Sequence, residues 1–181
     1  MSKLTHYVDI RPAKPAILYE LYGRVMMATH LAIAGGYDLA VDWPQWQEGE
    51  GRFGFVMRVL GEAEGLFAVV KKLAGLIENK LIDCGELKRV PPNADPRWMF
   101  VRDRQAQRTT PSYARRLERR AAARGESVAP ISKVGTPTHW LPMQSFSNKQ
   151  SFRLDIKRVP ALHDTTPNAY GLSVAIPDFE A

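Results

Sequence analysis

Cysteine occurs once in the 181 residues, at Cys84, which excludes an internal disulfide framework and leaves no cysteine pair for zinc. Histidine is nearly as scarce. His6, His30, His139 and His163 are scattered and form no metal-ligand spacing. No stretch approaches the roughly 18 to 20 apolar residues of a membrane span, and Met1 to Ile10 lacks a signal-peptide core, so the expectation is a cytoplasmic protein with no membrane partner. A phosphate-cradling glycine loop and a GxSxG elbow are both missing, which argues against nucleotide hydrolysis and esterase chemistry. Internal repeats and low-complexity tracts are also absent. What remains is globular in composition: 45% hydrophobic residues can bury a core, and the length suits one domain or two small ones.

Acidic residues are lacking in one place in particular. From Val101 to Gly125 eight arginines face two acids, Asp103 and Glu118, a surplus equal to the formal charge of the whole chain, +6. The rest of the chain is therefore neutral, and the basic balance is a local device for polyanions. Within this segment Thr110 is a good N-cap, Pro111 suits the first helical position and Gly125 suits the left-handed residue after the last turn. They bound a helix of roughly four turns. At about 100° per residue Tyr113, Ala114, Leu117 and Ala121 share one arc, while Arg115, Arg116, Arg119, Arg120 and Arg124 spread over the other. Only Glu118 could neutralise them inside the helix. A solvated face is the plainer alternative, but such faces usually mix lysine with glutamate, and guanidinium forks match phosphate oxygens.

Upstream, His6 to Ile10 alternates as a short strand, and Pro15 opens a helix with Ile17, Leu18, Leu21, Tyr22, Val25, Met26, Thr29 and Ile33 at spacings of three and four. Gly35-Gly36 stops it. Leu39 to Trp43 and Phe53 to Leu60 read as strands, Glu62 to Ile77 as a second amphipathic helix, and Leu81 to Val90 as a further strand. The fold class is α+β, and the order strand, helix, strand, strand, helix, strand is the ferredoxin-like (RRM-like) arrangement over residues 1–92. Pro91 to Pro96 is the boundary to a smaller C-terminal domain, 97–181, bearing the arginine-rich helix. In it Trp98 to Val101 is a short apolar run, Glu126 to Ser151 a polar loop, and Ser151 to Val159 a half-buried strand with Phe152, Leu154 and Ile156 on one face and Arg153, Asp155 and Lys157 on the other. A last short strand is expected around Tyr170 to Ser173.

At this level of detail an ordered set of motifs stands out: His6-Tyr-Val-Asp-Ile10, Thr29-His30-Leu31-Ala32-Ile33, Arg104-Gln105-Ala106 leading into Arg115-Arg116-Leu117-Glu118-Arg119-Arg120, Ser145-Phe-Ser-Asn-Lys-Gln-Ser-Phe152-Arg153-Leu154, and Tyr170-Gly171-Leu172-Ser173. In order and spacing the set resembles the CRISPR-associated RNA-processing endoribonucleases of type I-F systems, which cut precursor CRISPR RNA at the base of each repeat hairpin. The resemblance runs the length of the chain. It implies a ferredoxin-like domain followed by a smaller one whose arginine helix enters the major groove of the repeat hairpin, with Arg115, Arg116, Arg119 and Arg120 as phosphate or groove contacts. Deep A-form grooves resist side chains, so such insertion suits a short hairpin opened near its loop.

The resemblance also implies a reaction that uses neither metal nor cofactor. The ribose 2′-hydroxyl upstream of the cut attacks its own phosphate, giving a 2′,3′-cyclic phosphate and a 5′-hydroxyl. That step needs a group to deprotonate or orient the hydroxyl, charge balance at the phosphorane and an in-line geometry. His30 matches the histidine that does the first; by its place alone it could equally be an imidazole favoured by the end of the helix dipole. Ser145 matches the serine that constrains the attacking ribose, and otherwise reads as a loop residue. Tyr170 matches the tyrosine that orients the histidine, and otherwise as a half-buried aromatic. Phe152 matches the aromatic that stacks on the base pair above the cut, and otherwise continues the apolar face of its strand. For base reading, Gln105 matches the family's glutamine, and Arg102 and Arg104 flank Asp103 at the expected arginine position. The implied partners are the crRNA repeat stem-loop and the backbone and other subunits of the type I-F surveillance complex. The competing readings are a non-catalytic structured-RNA-binding module and a protein reading duplex DNA with the same helix.

Overall fold

The computed structural model describes residues 4–104, 111–127, 139–145, 148–161 and 166–180. It is an α+β chain with two antiparallel sheets. The first half contributes β1 (His6–Pro12), α1 (Leu18–Ala34) after a single 3-10 turn, β2 (Leu39–Asp42), β3 (Met57–Gly61), α2 (Ala63–Glu78), β4 (Ile82–Cys84) and β5 (Lys88–Arg89). The sheet runs β2-β3-β1-β4, with β5 also on β1, and every pairing is antiparallel.

The helices follow their apolar periodicity. In α1, Leu18, Leu21, Tyr22, Val25 and Met26 are buried at spacings of three and four, and the buried Thr29 hydroxyl donates to the Val25 carbonyl at 3.0 Å, so no polar group is stranded. Leu66, Val69 and Leu73 do the same for α2. Two strands are shorter than their apolar runs suggest. Residues 53–56 turn before β3 because Gly54 adopts φ +79° and the Phe55 N–H is taken by Gln45 Oε1 at 2.7 Å; Phe53 instead packs against Trp43 and Trp46. The expected strand from Leu81 to Val90 divides into β4 and β5 around Gly85, whose N–H donates to Asp9 O at 2.8 Å.

The second sheet comprises β6 (Pro96–Arg102), β7 (His139–Gln144), β8 (Ser151–Pro160) and β9 (Ile176–Pro177), in the order β7-β8-β6-β9. Strand β7 lies where a polar loop was expected. Its central Pro142 disguises it, and it is tolerated because β7 is an edge strand. His139, Leu141 and Met143 point inward, their neighbours outward. On β8 the polar face is less solvated than its alternation suggests: Asp155 is buried and takes Arg153 Nε at 2.6 Å. The strand expected at 170–173 is instead a turn, because Asn168 Oδ1 accepts the N–H groups of Tyr170 and Leu172 and both Gly171 (φ +74°) and Ser173 (φ +68°) are left-handed.

One core serves both sheets. Helix α1 lies so close to β7 that a Cβ on Gly23 would collide with the Pro142 carbonyl oxygen. Trp43, Trp46, Phe53, Phe100 and His139 form a shared aromatic cluster, with His139 stacked on Trp46 at 3.4 Å. Burial lowers the His139 pKa, and its Nε2 donates to Arg52 O at 3.0 Å, so the ring is packed as a neutral donor. Arg58, fully buried on β3, is held by both oxygens of Asp9 and donates to the carbonyls of Phe179 and Glu180, tying the C-terminal tail to the first sheet. Among the described residues no helix is long and apolar enough to cross a membrane.

Candidate functional site

His30 sits one turn before α1 ends at Gly35, half-buried, and meets the Asn168–Ser173 turn. Its Nδ1 is 2.6 Å from the Ala169 carbonyl oxygen. A carbonyl can only accept, so Nδ1 carries a hydrogen, and when the ring is neutral it is Nε2 that keeps the lone pair. Tyr170 stacks on the imidazole, centroids 4.8 Å apart and planes 24° from parallel. Phe152, on β8, lies 6.5 Å from Tyr170 and is itself half-buried.

The turn that supplies these contacts is closed by two internal hydrogen bonds and tied outward by two more. Asn168 N–H donates to Leu172 O at 2.7 Å, Gly171 N–H to Asn168 O at 2.9 Å, Val41 N–H to Gly171 O at 3.1 Å and Ser173 N–H to Phe100 O at 2.7 Å. The last two bonds pin it to both sheets. Gly171 is required there, since a Cβ would sit 3.2 Å from Leu39 O on a backbone already at φ +74°. Helix, turn and strand thus fix one imidazole with a free nitrogen, the arrangement a general base needs.

Ser145 begins the turn from β7 to β8, its N–H on Gln150 O at 2.8 Å and its carbonyl taking Lys149 N–H at 3.1 Å. It lines, with Phe152, Met27 and Leu31, a cleft of about 780 Å³ of which His30 is not a lining residue. His30, Tyr170 and Phe152 are therefore brought together, and Ser145 shares the cleft with Phe152 alone of the three.

The arginine helix stands apart, and none of its residues lines the cleft. It is α3, Pro111–Ala122. Gly125 ends it at φ +68°, with Glu126 N–H on Ala121 O at 2.9 Å and Gly125 N–H on Ala122 O at 3.2 Å, the paired bonds of a Schellman stop. Ala121 is buried, whereas Arg115, Arg116, Arg119, Arg120 and Arg124 are exposed. Arg124 pairs with Glu126 at 3.3 Å, and Arg119 Nε reaches Arg115 O at 3.4 Å. Arg116 and Arg120 form no ion pair with a described residue. Both are available to an anion.

At the end of β6, Asp103 is buried, and its N–H donates to Asp155 O at 2.8 Å. Arg104 is exposed, and Arg102 is half-buried with its Nε lacking a hydrogen-bond partner among the described residues. Gln105 and the N-cap Thr110 lie outside the described residues. Sequence reasoning missed the Ala169 carbonyl, because a backbone group leaves no trace in residue type. It also missed the cations of the cleft, Arg24, Lys72, Lys149 and Arg153, which are dispersed along the chain.

No curated protein sequence matches this chain in a direct comparison. The model of one family, described as CRISPR-associated protein (Cas_Csy4), matches residues 7–179, a span that takes in His30, the cleft, α3 and the Asn168–Ser173 turn. With nearly its whole length matched, the chain belongs to the Cas_Csy4 family of CRISPR-associated proteins.

Proposed function

We propose that this protein is a metal-independent endoribonuclease that binds the CRISPR repeat hairpin and cuts precursor crRNA at the 3′ base of the stem. Family membership supports a CRISPR-associated protein of crRNA processing, and the observation that carries the cutting reaction is the His30–Ala169 hydrogen bond. With Nδ1–H committed to a carbonyl, Nε2 is free to take the proton of the attacking 2′-hydroxyl. O2′ then bonds to phosphorus, O5′ leaves and takes up a proton from solvent, and the products are a 2′,3′-cyclic phosphate and a 5′-hydroxyl. Tyr170 acts by stacking, which keeps the ring from rotating out of its bond to Ala169. Ser145, at the cleft edge, constrains the ribose, and Phe152 offers its exposed side to the terminal base pair. Arg115, Arg116, Arg119 and Arg120 grip the stem from α3, while Arg102, Arg104 and Gln105 read its sequence.

The same proposal takes residues 1–92 as a ferredoxin-like (RRM-like) domain, supported by the antiparallel order β2-β3-β1-β4, and 97–181 as the RNA-gripping domain. The protein stays on its product hairpin as a subunit of the type I-F surveillance complex in the cytoplasm.

Labelled repeat RNA incubated in EDTA tests the reading. Cleavage is expected without metal, and His30→Ala should lose at least about 10²-fold in rate while still binding the hairpin. Unimpaired cleavage by that variant would reject His30 as the base, and absence of cleavage by the unaltered protein would leave a structured-RNA-binding module. A DNA hairpin of the same sequence, bound equally well, would point instead to duplex DNA.

A further inference from the structure

The Ala169 carbonyl that meets His30 is one end of a peptide group whose other end is also held. That group joins Ala169 to Tyr170: its C=O takes the hydrogen of His30 Nδ1, and its N–H donates to Asn168 Oδ1 at 2.9 Å. A trans peptide is a single plane, with C=O and N–H pointing to opposite sides. Holding the N–H therefore aims the C=O. We infer that Asn168 is a positioning residue of the cutting reaction, which fixes the Ala169–Tyr170 peptide plane and, through it, the hydrogen on Nδ1 and the lone pair on Nε2 of His30. The inference rests on the endoribonuclease reading and supplies His30 with the orienting group that an activating base calls for.

Three observations carry it. The first is that the Asn168 side chain is committed. Its Oδ1 accepts from Tyr170 N–H and, at 3.2 Å, from Leu172 N–H, and two backbone donors on one atom identify it as the oxygen of the amide. Nδ2 is left to face Ser173 Oγ at 3.5 Å. The second is that the bonds run in series. Nδ1–H donates to Ala169 O and Tyr170 N–H donates to Asn168 Oδ1, so both polarise the intervening peptide in the same sense and each strengthens the other. The same plane sets the direction in which the Tyr170 side chain departs, so the stack on the imidazole depends on it too. The third is a division of labour within the turn. Its ties to β2 and β6, and the two bonds that close it between Asn168, Gly171 and Leu172, are all backbone to backbone and survive any change of the Asn168 side chain. Among the described residues, Asn168 Oδ1 is the only acceptor for the Tyr170 N–H. Asparagine often closes loops in this way, but here the peptide it holds is the one that His30 meets.

The test reads the His30 ring directly. NMR of protein isotope-labelled at the imidazole nitrogens, with His30 assigned by the signals lost in His30→Ala, should show the neutral ring carrying its hydrogen on Nδ1, the tautomer that free histidine disfavours. In Asn168→Ala the spectrum should move toward the Nε2–H tautomer, and single-turnover cleavage of the repeat hairpin should slow by roughly ten-fold, with hairpin affinity unchanged. Asn168→Asp keeps an acceptor in the same place. It should restore both the Nδ1–H tautomer and a rate close to that of the unaltered protein. A residue that merely stabilised the turn would lower the melting temperature without moving the tautomer. Retention of the Nδ1–H tautomer in Asn168→Ala, an unaltered rate in that variant, or no rescue by Asn168→Asp would each overturn the inference while leaving His30 as the base. Absence of cleavage by the unaltered protein, with the tautomer still answering to Asn168, would instead overturn the endoribonuclease reading, and with it the assignment of Asn168 to a cutting reaction.

Discussion

Helix α3 and the Asn168–Ser173 turn differ most in how they are held. The helix keeps its shape through its own hydrogen bonds and a Schellman stop, and it presents arginines to solvent. The turn has no regular structure and is fixed by bonds to β2 and β6, by Asn168 and by the left-handed Gly171. Coulomb attraction acts over about a Debye length, so a gripping element tolerates loose mounting. A base must meet its proton within hydrogen-bond reach, and misplacement by about 1 Å can cost 10²-fold in rate. On the proposed function, the way each region is mounted matches the physical range of its task.

Gly171→Ala breaks this comparison most sharply. A Cβ there meets Leu39 O at 3.2 Å and the Ala40 Cα at 3.4 Å on a positive-φ backbone, a strain of about 1 to 3 kcal/mol. The Ala169 carbonyl and the Tyr170 ring would shift together. Cleavage should fall by about 10- to 100-fold, measured in single-turnover assays, with hairpin affinity little altered; cleavage at the unaltered rate would show that the turn does not position His30. Arg116→Ala and Arg120→Ala make the opposite cut. Each should weaken hairpin binding by roughly three- to ten-fold and reduce the salt slope by about one, leaving the rate of bound RNA intact. Titrations at two salt concentrations decide this, and an unchanged slope would remove α3 from the phosphate contacts.

The two regions were not equally legible in the sequence. Eight arginines against two acids, with proline and glycine at the ends, declare a basic helix without reference to the rest of the fold. His30 and Tyr170 lie 140 residues apart, and neither periodicity nor spacing joins them; the family motifs marked both, but not the Ala169 carbonyl that fixes the tautomer. The strands were visible where alternation was clean, as in β1 and β8. They were hidden where one residue masked the pattern: Pro142 within β7, or the Gln45 side chain and Gly54 that delay β3. The turn at 170–173 read as a strand because Leu172 and Tyr170 are apolar. Its real shape is set by the side chain of Asn168, outside the apolar run.

A smaller effect separates the regions by pH. Arg58 ties the tail beyond the Asn168–Ser173 turn to the first sheet, and two carboxylates face it. Asp9 grips it at 2.8 Å, whereas Asp42 stands off at 3.9 Å, and burial pushes the Asp42 pKa from 3.8 up to about 7. The folded state therefore holds a proton on Asp42 that the unfolded chain has released. Its contribution is complete below about pH 4 and is lost as pH rises from there through about 7. Asp42→Asn keeps the shape without the ionisation, so it should match the unaltered protein in acid and exceed it by a few degrees in Tm near pH 8. Thermal melts across that range read the difference, and parallel profiles would show that Asp42 is ionised throughout. Hairpin affinity, which the proposal assigns to the α3 arginines, should show no such crossover.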